Sequence, residues 1–105
     1  MSSGSLGDIT NAEYVVAIGS AEEKTRKINE ILEASDVPEE YKTSTQYFRL
    51  AIEAYLGYLR NMKMYVVSSE FPNSNEDALY TLLELAEDSL QESARYLKLA
   101  IETRP

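Results

Sequence analysis

The fold is decided by residues 38–69, which read PEEYKTSTQYFRLAIEAYLGYLRNMKMYVVSS. Along this stretch, apolar residues and one threonine recur in alternating steps of four and three, the spacing of a continuous seam on an α-helix. The seam consists of Tyr41, Thr45, Phe48, Ile52, Tyr55, Leu59, Met62 and Val66. A parallel ridge consists of Tyr47, Ala51, Ala54, Tyr58 and Tyr65. The stretch therefore predicts one long helix, apolar over nearly half of its circumference, that can contact two neighbours.

A first helix is predicted before this stretch, over about residues 11–35. Thr10 followed by Glu13 has the spacing of a capping box. The predicted buried stripe consists of Tyr14, Ile18, Ala21, Thr25, Ile28 and Leu32. Gly19 marks either a close approach of two helices or a weak point that costs about 1 kcal/mol relative to Ala. On the predicted outer face, Glu22–Arg26 and Glu23–Lys27 have the spacing of ion pairs one turn apart.

A third helix is predicted over about residues 75–103. Its N-cap is expected to be Ser74 or Asn75, and two acidic residues follow in the first turn, where the helix dipole favours negative charge. The predicted buried stripe consists of Leu79, Leu83, Ala86, Leu90, Leu97 and Ile101.

Two short breaks separate the three predicted helices. In the first, Asp36 is expected to cap the central helix, with Pro38 in its first turn. The second covers residues 70–75 and contains Pro72, before which the central helix should end. Short connections between long amphipathic helices predict an all-α, up-down-up antiparallel three-helix bundle. A second copy of the chain could complete a larger bundle.

Length and charge limit the kind of protein this can be. The 105 residues suit a single helical domain over residues 10–105, preceded by a Ser- and Gly-rich segment, residues 1–9, that is expected to be flexible. The formal net charge of −8 argues against nucleic acid or an anionic membrane as a partner. No apolar run approaches the roughly 20 residues of a transmembrane helix. We expect a soluble, cytoplasmic protein.

The chain lacks the residue types that many catalytic mechanisms use. The chain has no Cys and no His, so thiol nucleophiles, thiolate zinc sites, serine triads and histidine-based general bases are all excluded. The four Gly residues form no phosphate-binding loop. The sequence therefore predicts that the protein is not an enzyme and holds no cofactor or metal at a dedicated site.

An acidic patch is predicted on the third helix. It consists of Glu84, Glu87, Asp88 and Glu92, which share one side of the helix. Carboxylates so arranged could bind a divalent cation or a basic partner, but such a run is more often a solvated face. The patch supports two alternative functions, a small-ligand or divalent-cation binding bundle and an acidic decoy of a nucleic-acid-binding protein.

The leading hypothesis is a non-enzymatic protein–protein interaction or structural module that associates as a homodimer. It depends on apolar residues outside the main buried stripes of the second and third helices, including three tyrosines of the parallel ridge. This candidate interaction surface consists of Tyr47, Leu56, Tyr58, Met64, Tyr65, Val67, Leu85 and Leu99. Its tyrosines could be contact residues for a partner or could form the boundary of the intramolecular core.

Two segments of the chain are similar to each other. Residues 44–53 read STQYFRLAIE and residues 93–102 read SARYLKLAIE. The similarity indicates either a duplicated helical unit or convergence between amphipathic helices, which use few residue types.

Overall fold

The structure is an all-α bundle of three long helices. It is a computed structural model and describes residues 10–71, 73 and 75–105. The elements are α1 (Asn11–Ala34), a 3₁₀ turn (Glu39–Tyr41), α2 (Lys42–Ser69) and α3 (Glu76–Glu102). The up-down-up arrangement predicted from the sequence is confirmed. The predicted flexible segment 1–9 lies outside the described residues.

The helix ends show which of the predicted caps form. Thr10 and Glu13 form the predicted capping box, with the Glu13 N–H donating to Thr10 Oγ1 at 3.1 Å. Asn75 caps α3, since its Oδ1 accepts from the backbone N–H of Asp77 at 2.8 Å. Ser74, the other candidate cap, lies outside the described residues. The start of α2 was predicted wrongly, because residues 39–41 form a 3₁₀ turn and no side chain caps either that turn or α2.

α2 and α3 are closely packed because small residues line their contact. The hydroxyl of Ser44 donates to the carbonyl oxygen of Ala100, and the hydroxyl of Ser93 donates to that of Ala51 at 2.8 Å. A serine side chain can reach the backbone of a neighbouring helix only when the two helices lie close together. The pairing of the start of α2 with the end of α3 also shows that the two helices are antiparallel.

The two similar segments pack against each other. Ser44 and Ser93 are equivalent in the two segments, as are Ala51 and Ala100, so the two serine hydrogen bonds are equivalent as well. The rings of Tyr47 and Tyr96, a third equivalent pair of residues, stack with centroids 6.4 Å apart. The segments are therefore related by a local approximate two-fold axis, and both perform the same packing role.

α1 packs antiparallel on α2, with a charged residue at the centre of the contact. Its buried residues are Ile18, Glu22 and Thr25. Glu22 is only 7% exposed, and its carboxylate accepts from Lys63 Nζ at 3.1 Å. The Glu22–Arg26 pair forms, at 3.7 Å, but the prediction that Glu22 lies on the outer face was wrong. Among the described residues, the predicted Glu23–Lys27 pair does not reach ion-pair distance.

α1 and α3 both lie on α2 but scarcely contact each other within the described part of the chain. The bundle is consequently open on one side and elongated. Its principal extents are 53 × 31 × 22 Å and its Cα radius of gyration is 16.9 Å. A compact chain of this length would have a radius of about 13 Å.

Because the bundle is open on one side, several residues of the predicted buried stripes are exposed. Ile52, Leu59 and Val66 of α2 are buried as predicted. The predicted core residues that are exposed are Tyr14 and Ile28 on α1, Tyr41 before α2, and Leu90, Leu97 and Ile101 on α3. The physical reason is that α1 turns its Glu22 side toward α2, so it does not cover the apolar face of α3.

Replacing Gly19 by Ala should stabilise the protein by about 1 kcal/mol, because Ala loses less backbone entropy in a helix interior. A Cβ built on Gly19 meets no atom within 4 Å, so the close-approach interpretation of this glycine is wrong and the weak-point interpretation holds. Urea denaturation followed by circular dichroism measures the change. An unchanged or lowered free energy of unfolding would contradict this prediction.

Candidate functional site

The gap between α1 and α3 is an apolar groove. It has a volume of about 250 Å³ and all three helices contribute to it. We call it the α1/α3 groove; it is lined by Thr25, Ile28, Phe48, Ala51, Ile52, Tyr55, Ser93 and Leu97. α2 supplies its floor, and α1 and α3 supply its walls. A groove between two helices is the shape that accepts an amphipathic helix.

The walls of the α1/α3 groove expose apolar side chains that are usually buried. Ile28 on the α1 wall is 45% exposed and Leu97 on the α3 wall is 44% exposed. Leu90 lies one helical repeat of seven residues before Leu97, hence on the same side of α3, and is 41% exposed. Contiguous apolar side chains of this size on a soluble domain mark a binding surface more often than single exposed residues do.

Two tyrosine rings stack at one edge of the α1/α3 groove. The rings of Tyr55 and Tyr58 stack with their centroids 5.8 Å apart. Burial raises the pKa of the Tyr58 hydroxyl above its usual value of about 10, and the nearby hydroxyls of Tyr14 and Tyr55 raise this pKa further. The Tyr58 hydroxyl is therefore neutral at physiological pH.

Glu22, Arg26 and Lys63 form the charged contact that orients α1 on α2. Glu22 accepts from Lys63 and lies 3.7 Å from Arg26, so its carboxylate is paired twice. A charge this deeply buried is costly unless it is paired, which makes any other rotation of α1 on α2 unfavourable. The pair thus specifies which side of α1 faces α2 and, as a result, leaves Ile28 facing the groove.

Replacing Lys63 by Met should lower the free energy of unfolding by about 1–2 kcal/mol, because Glu22 then keeps only its longer contact with Arg26. The effect is smaller than for a fully buried pair because the Lys63 side chain is 41% exposed. Chemical denaturation of the single variant and of the double variant Glu22→Met/Lys63→Met provides the measurement and its control. We expect the double variant to be at least as stable as the single one. If Lys63→Met is as stable as the wild type, the proposed role of the Glu22–Lys63 pair is wrong.

The candidate interaction surface predicted from the sequence is only partly exposed. Met64, Val67 and Leu85 are exposed, and the other members are half-buried. The half-buried members are Tyr47, Leu56, Tyr58, Tyr65 and Leu99. Tyr47 stacks on Tyr96 of α3, so this ring contributes to the intramolecular boundary. Of these eight residues, Met64, Val67 and Leu85 therefore offer the largest exposed fraction of their side chains to a partner.

The predicted acidic patch is a solvated face. Glu84, Glu87, Asp88 and Glu92 are all exposed. Gln91 donates to Glu87 at 3.3 Å, and Arg95, which lies beside Asp88 and Glu92, is placed 5.2 Å from the Tyr96 ring centroid. In the part of the chain that the structure describes, no three carboxylates converge to hold a metal ion. No feature of this patch favours the two alternative functions.

The groove was not predicted, although the sequence contains a signal for it. Leu97 of its α3 wall, together with Leu90 and Ile101 on the same helix, belongs to a regular apolar stripe that was predicted to be buried. Glu22 lies three residues before Thr25 and four after Ile18, inside the repeat of α1, and Lys63 provides a matching charge on α2. A charge at a buried repeat position indicates that the helix is turned away from its purely apolar orientation.

Comparison with known proteins finds no matching family model, no similar curated protein and no similar solved structure. None of the helices in the described residues is both long enough and apolar enough to cross a lipid bilayer. The groove's own chemistry is therefore the basis for a functional conclusion.

Proposed function

We propose that this chain is a non-enzymatic, cytoplasmic helical interaction module that binds an amphipathic helix in its α1/α3 groove. One observation carries the proposal: a groove with a buried floor has walls of exposed large apolar residues. Ile52 on the floor is 5% exposed, whereas Ile28 and Leu97 on the two walls are each more than 40% exposed. A helix laid along the groove would cover these walls and complete a four-helix arrangement around α2.

The composition of the groove suits helix binding better than small-molecule binding. A small-molecule pocket usually combines an enclosed apolar cavity with a few converging polar groups. Three lining residues carry a hydroxyl, and two of these, Thr25 and Ser93, already donate to the backbone oxygens of Ala21 and Ala51, which leaves that of Tyr55. The groove thus offers apolar contact along a helical length and few free polar groups.

A photoreactive side chain tests this function directly. We would place p-benzoylphenylalanine at Leu97, in the groove, or at Leu85, which is similarly exposed on α3 but outside the groove lining. After irradiation in concentrated cell lysate, we expect cross-linked adducts from position 97 and few from position 85. Equal yields at the two positions, or adducts from neither, would overturn the proposal.

A further inference from the structure

We propose that α1 is a movable wall of the α1/α3 groove, which detaches from α2 as a unit while α2 and α3 stay packed together. The detachment is a property of the free chain, and its meaning for binding rests on the proposed function. Because α1 supplies one wall of the groove, its detachment removes the binding site and its docking restores it. The docking of α1 thus regulates whether the groove is available.

Little apolar surface holds α1 on α2. Only three of the 24 residues of α1 are buried, and two of these, Glu22 and Thr25, are polar. Large apolar side chains of the same helix stay exposed instead, among them Val16 at 72% and Ile31 at 60%. Since the burial of apolar area is the main favourable term in packing, the docked position of α1 is only weakly stabilised.

The ion pairs of α1 orient this helix more than they hold it on α2. Arg49 donates to Glu33 at 3.1 Å, but both side chains are about half exposed, and such surface pairs add little stability. Glu22 is paired with Lys63 inside the contact, where the attraction is partly offset by the removal of the carboxylate from water. Water solvates this carboxylate again when α1 leaves. The pair therefore opposes a wrong orientation of docked α1 more strongly than it opposes detachment.

α2 and α3 have closer contacts, and α1 takes no part in them. Their interface contains the two equivalent serine hydrogen bonds and the stacked rings of Tyr47 and Tyr96. Farther along the interface, a Cβ placed on Gly57 would lie 3.6 Å from the Ser89 hydroxyl oxygen, so the two helices are close there as well. Ala86 is the most deeply buried residue of α3, a helix that packs almost entirely on α2. The α2–α3 contact can therefore persist when α1 leaves.

Residues 35–38 provide a hinge between α1 and the rest of the chain. The backbone is extended at both ends of this connection, at Ser35 and at Pro38. The Ser35 N–H donates back to Leu32 in α1, and the Tyr41 N–H donates back to Pro38 at the 3₁₀ turn. Among the described residues, no backbone hydrogen bond joins the two sides of the connection. α1 can therefore swing away without breaking a backbone hydrogen bond.

Native-state hydrogen exchange of the full chain tests the detachment. A single detached helix is only marginally helical in water, so the amides of α1 exchange once this helix leaves α2. The measurement is made at urea concentrations below those that unfold the protein. We expect protection factors for residues 18–29 of α1 to be at least about tenfold lower than those for residues 51–66 of α2 and 86–100 of α3.

A variant of the α2–α3 contact distinguishes detachment from global unfolding. Ala86→Gly should lower the protection factors of α2 and α3 about fivefold, the usual effect of glycine in a helix interior, and should leave those of α1 unchanged. The control Ala17→Gly makes the same change within α1 and should lower the protection of all three helices, because α1 is fully helical only when docked. Ser44→Ala, which deletes one of the serine hydrogen bonds between α2 and α3, replaces Ala86→Gly if that variant does not fold.

Three results would overturn the inference. The first is equal protection of the three helices, and the second is a loss of protection in α1 with Ala86→Gly as large as the loss in α2 and α3. Both leave the groove permanently formed and the proposed function standing. The third is an absence of protection throughout α1, which would mean that this helix is not docked. If α1 detaches as expected but position 97 gives no adducts, the proposed function fails and the inference about α1 holds.

Discussion

Leu59→Ala is expected to lower the free energy of unfolding by about 2–5 kcal/mol, the range for deleting a buried leucine side chain and leaving a cavity. Leu59 is 4% exposed and occupies the middle of the face that Ile52 and Val66 share at intervals of seven residues. Because the bundle is open on one side, α2 is the helix that contacts both others. A cavity in α2 should therefore weaken the α1 and α3 contacts together.

Chemical denaturation at low micromolar concentration measures this loss without a contribution from self-association. Leu85→Ala, the matched control, removes the same atoms from a side chain that is 47% exposed and should change the free energy of unfolding by well under half as much. Similar losses for the two variants would show that α2 is not the centre of the fold.

Ala51→Leu is expected to destabilise the protein by about 1–3 kcal/mol through overpacking. Ala51 is buried in the contact between α2 and α3, and its carbonyl oxygen accepts the hydroxyl of Ser93 at 2.8 Å. A leucine side chain there has to push the two helices apart or turn into the α1/α3 groove, which Ala51 also lines. Separation would also lengthen the two equivalent serine hydrogen bonds, so the loss should exceed that of an ordinary helical substitution.

Thermal and chemical denaturation followed by circular dichroism can measure the effect of Ala51→Leu. Ala12→Leu is the control, since Ala12 is exposed in the first turn of α1 and leucine is almost as good a helix former as alanine. We expect the control to change the free energy of unfolding by only a few tenths of a kcal/mol. A stable Ala51→Leu protein with unchanged unfolding would contradict this prediction.

The sequence allowed the helices, their order and two of their caps to be predicted, because these depend on local signals. Thr10 with Glu13 caps α1 and Asn75 caps α3 by hydrogen bonds that span three residues or fewer. The apolar repeat of residues 38–69 identified the buried residues Ile52, Leu59 and Val66 for the same reason. The 3₁₀ turn at Glu39–Tyr41 was not foreseen, since Pro38 is compatible with either kind of helix start.

The rotation of α1 could not be predicted from the stripe of that helix alone. The predicted apolar stripe of α1 includes Ile28. The observed contact of α1 with α2 is instead centred on Glu22, which pairs with Lys63 forty-one residues away. A tertiary ion pair is invisible to helical periodicity. The rotation set by this ion pair leaves Ile28 on one wall of the groove and Leu97 uncovered on the other.

The predicted interaction surface illustrates the same limit. It was chosen from residues outside the apolar stripes, such as Leu85 and Met64, on the assumption that every stripe would be buried. The structure instead leaves part of two stripes uncovered, at Ile28 and Leu97. When a bundle is open on one side, some of the residues that are patterned for a core remain exposed.

The most direct test of the groove as the binding surface uses the absence of cysteine from the chain. A single cysteine introduced as Leu97→Cys or Leu85→Cys gives one reactive thiol at a known position. We would measure the rate of alkylation of each thiol in the purified protein from low to high micromolar concentration. The rate at position 97 should fall as the protein concentration rises, because the homodimer expected from the sequence would cover the groove, while the rate at position 85 should stay constant. Constant rates at both positions, or protection at position 85 alone, would contradict the account.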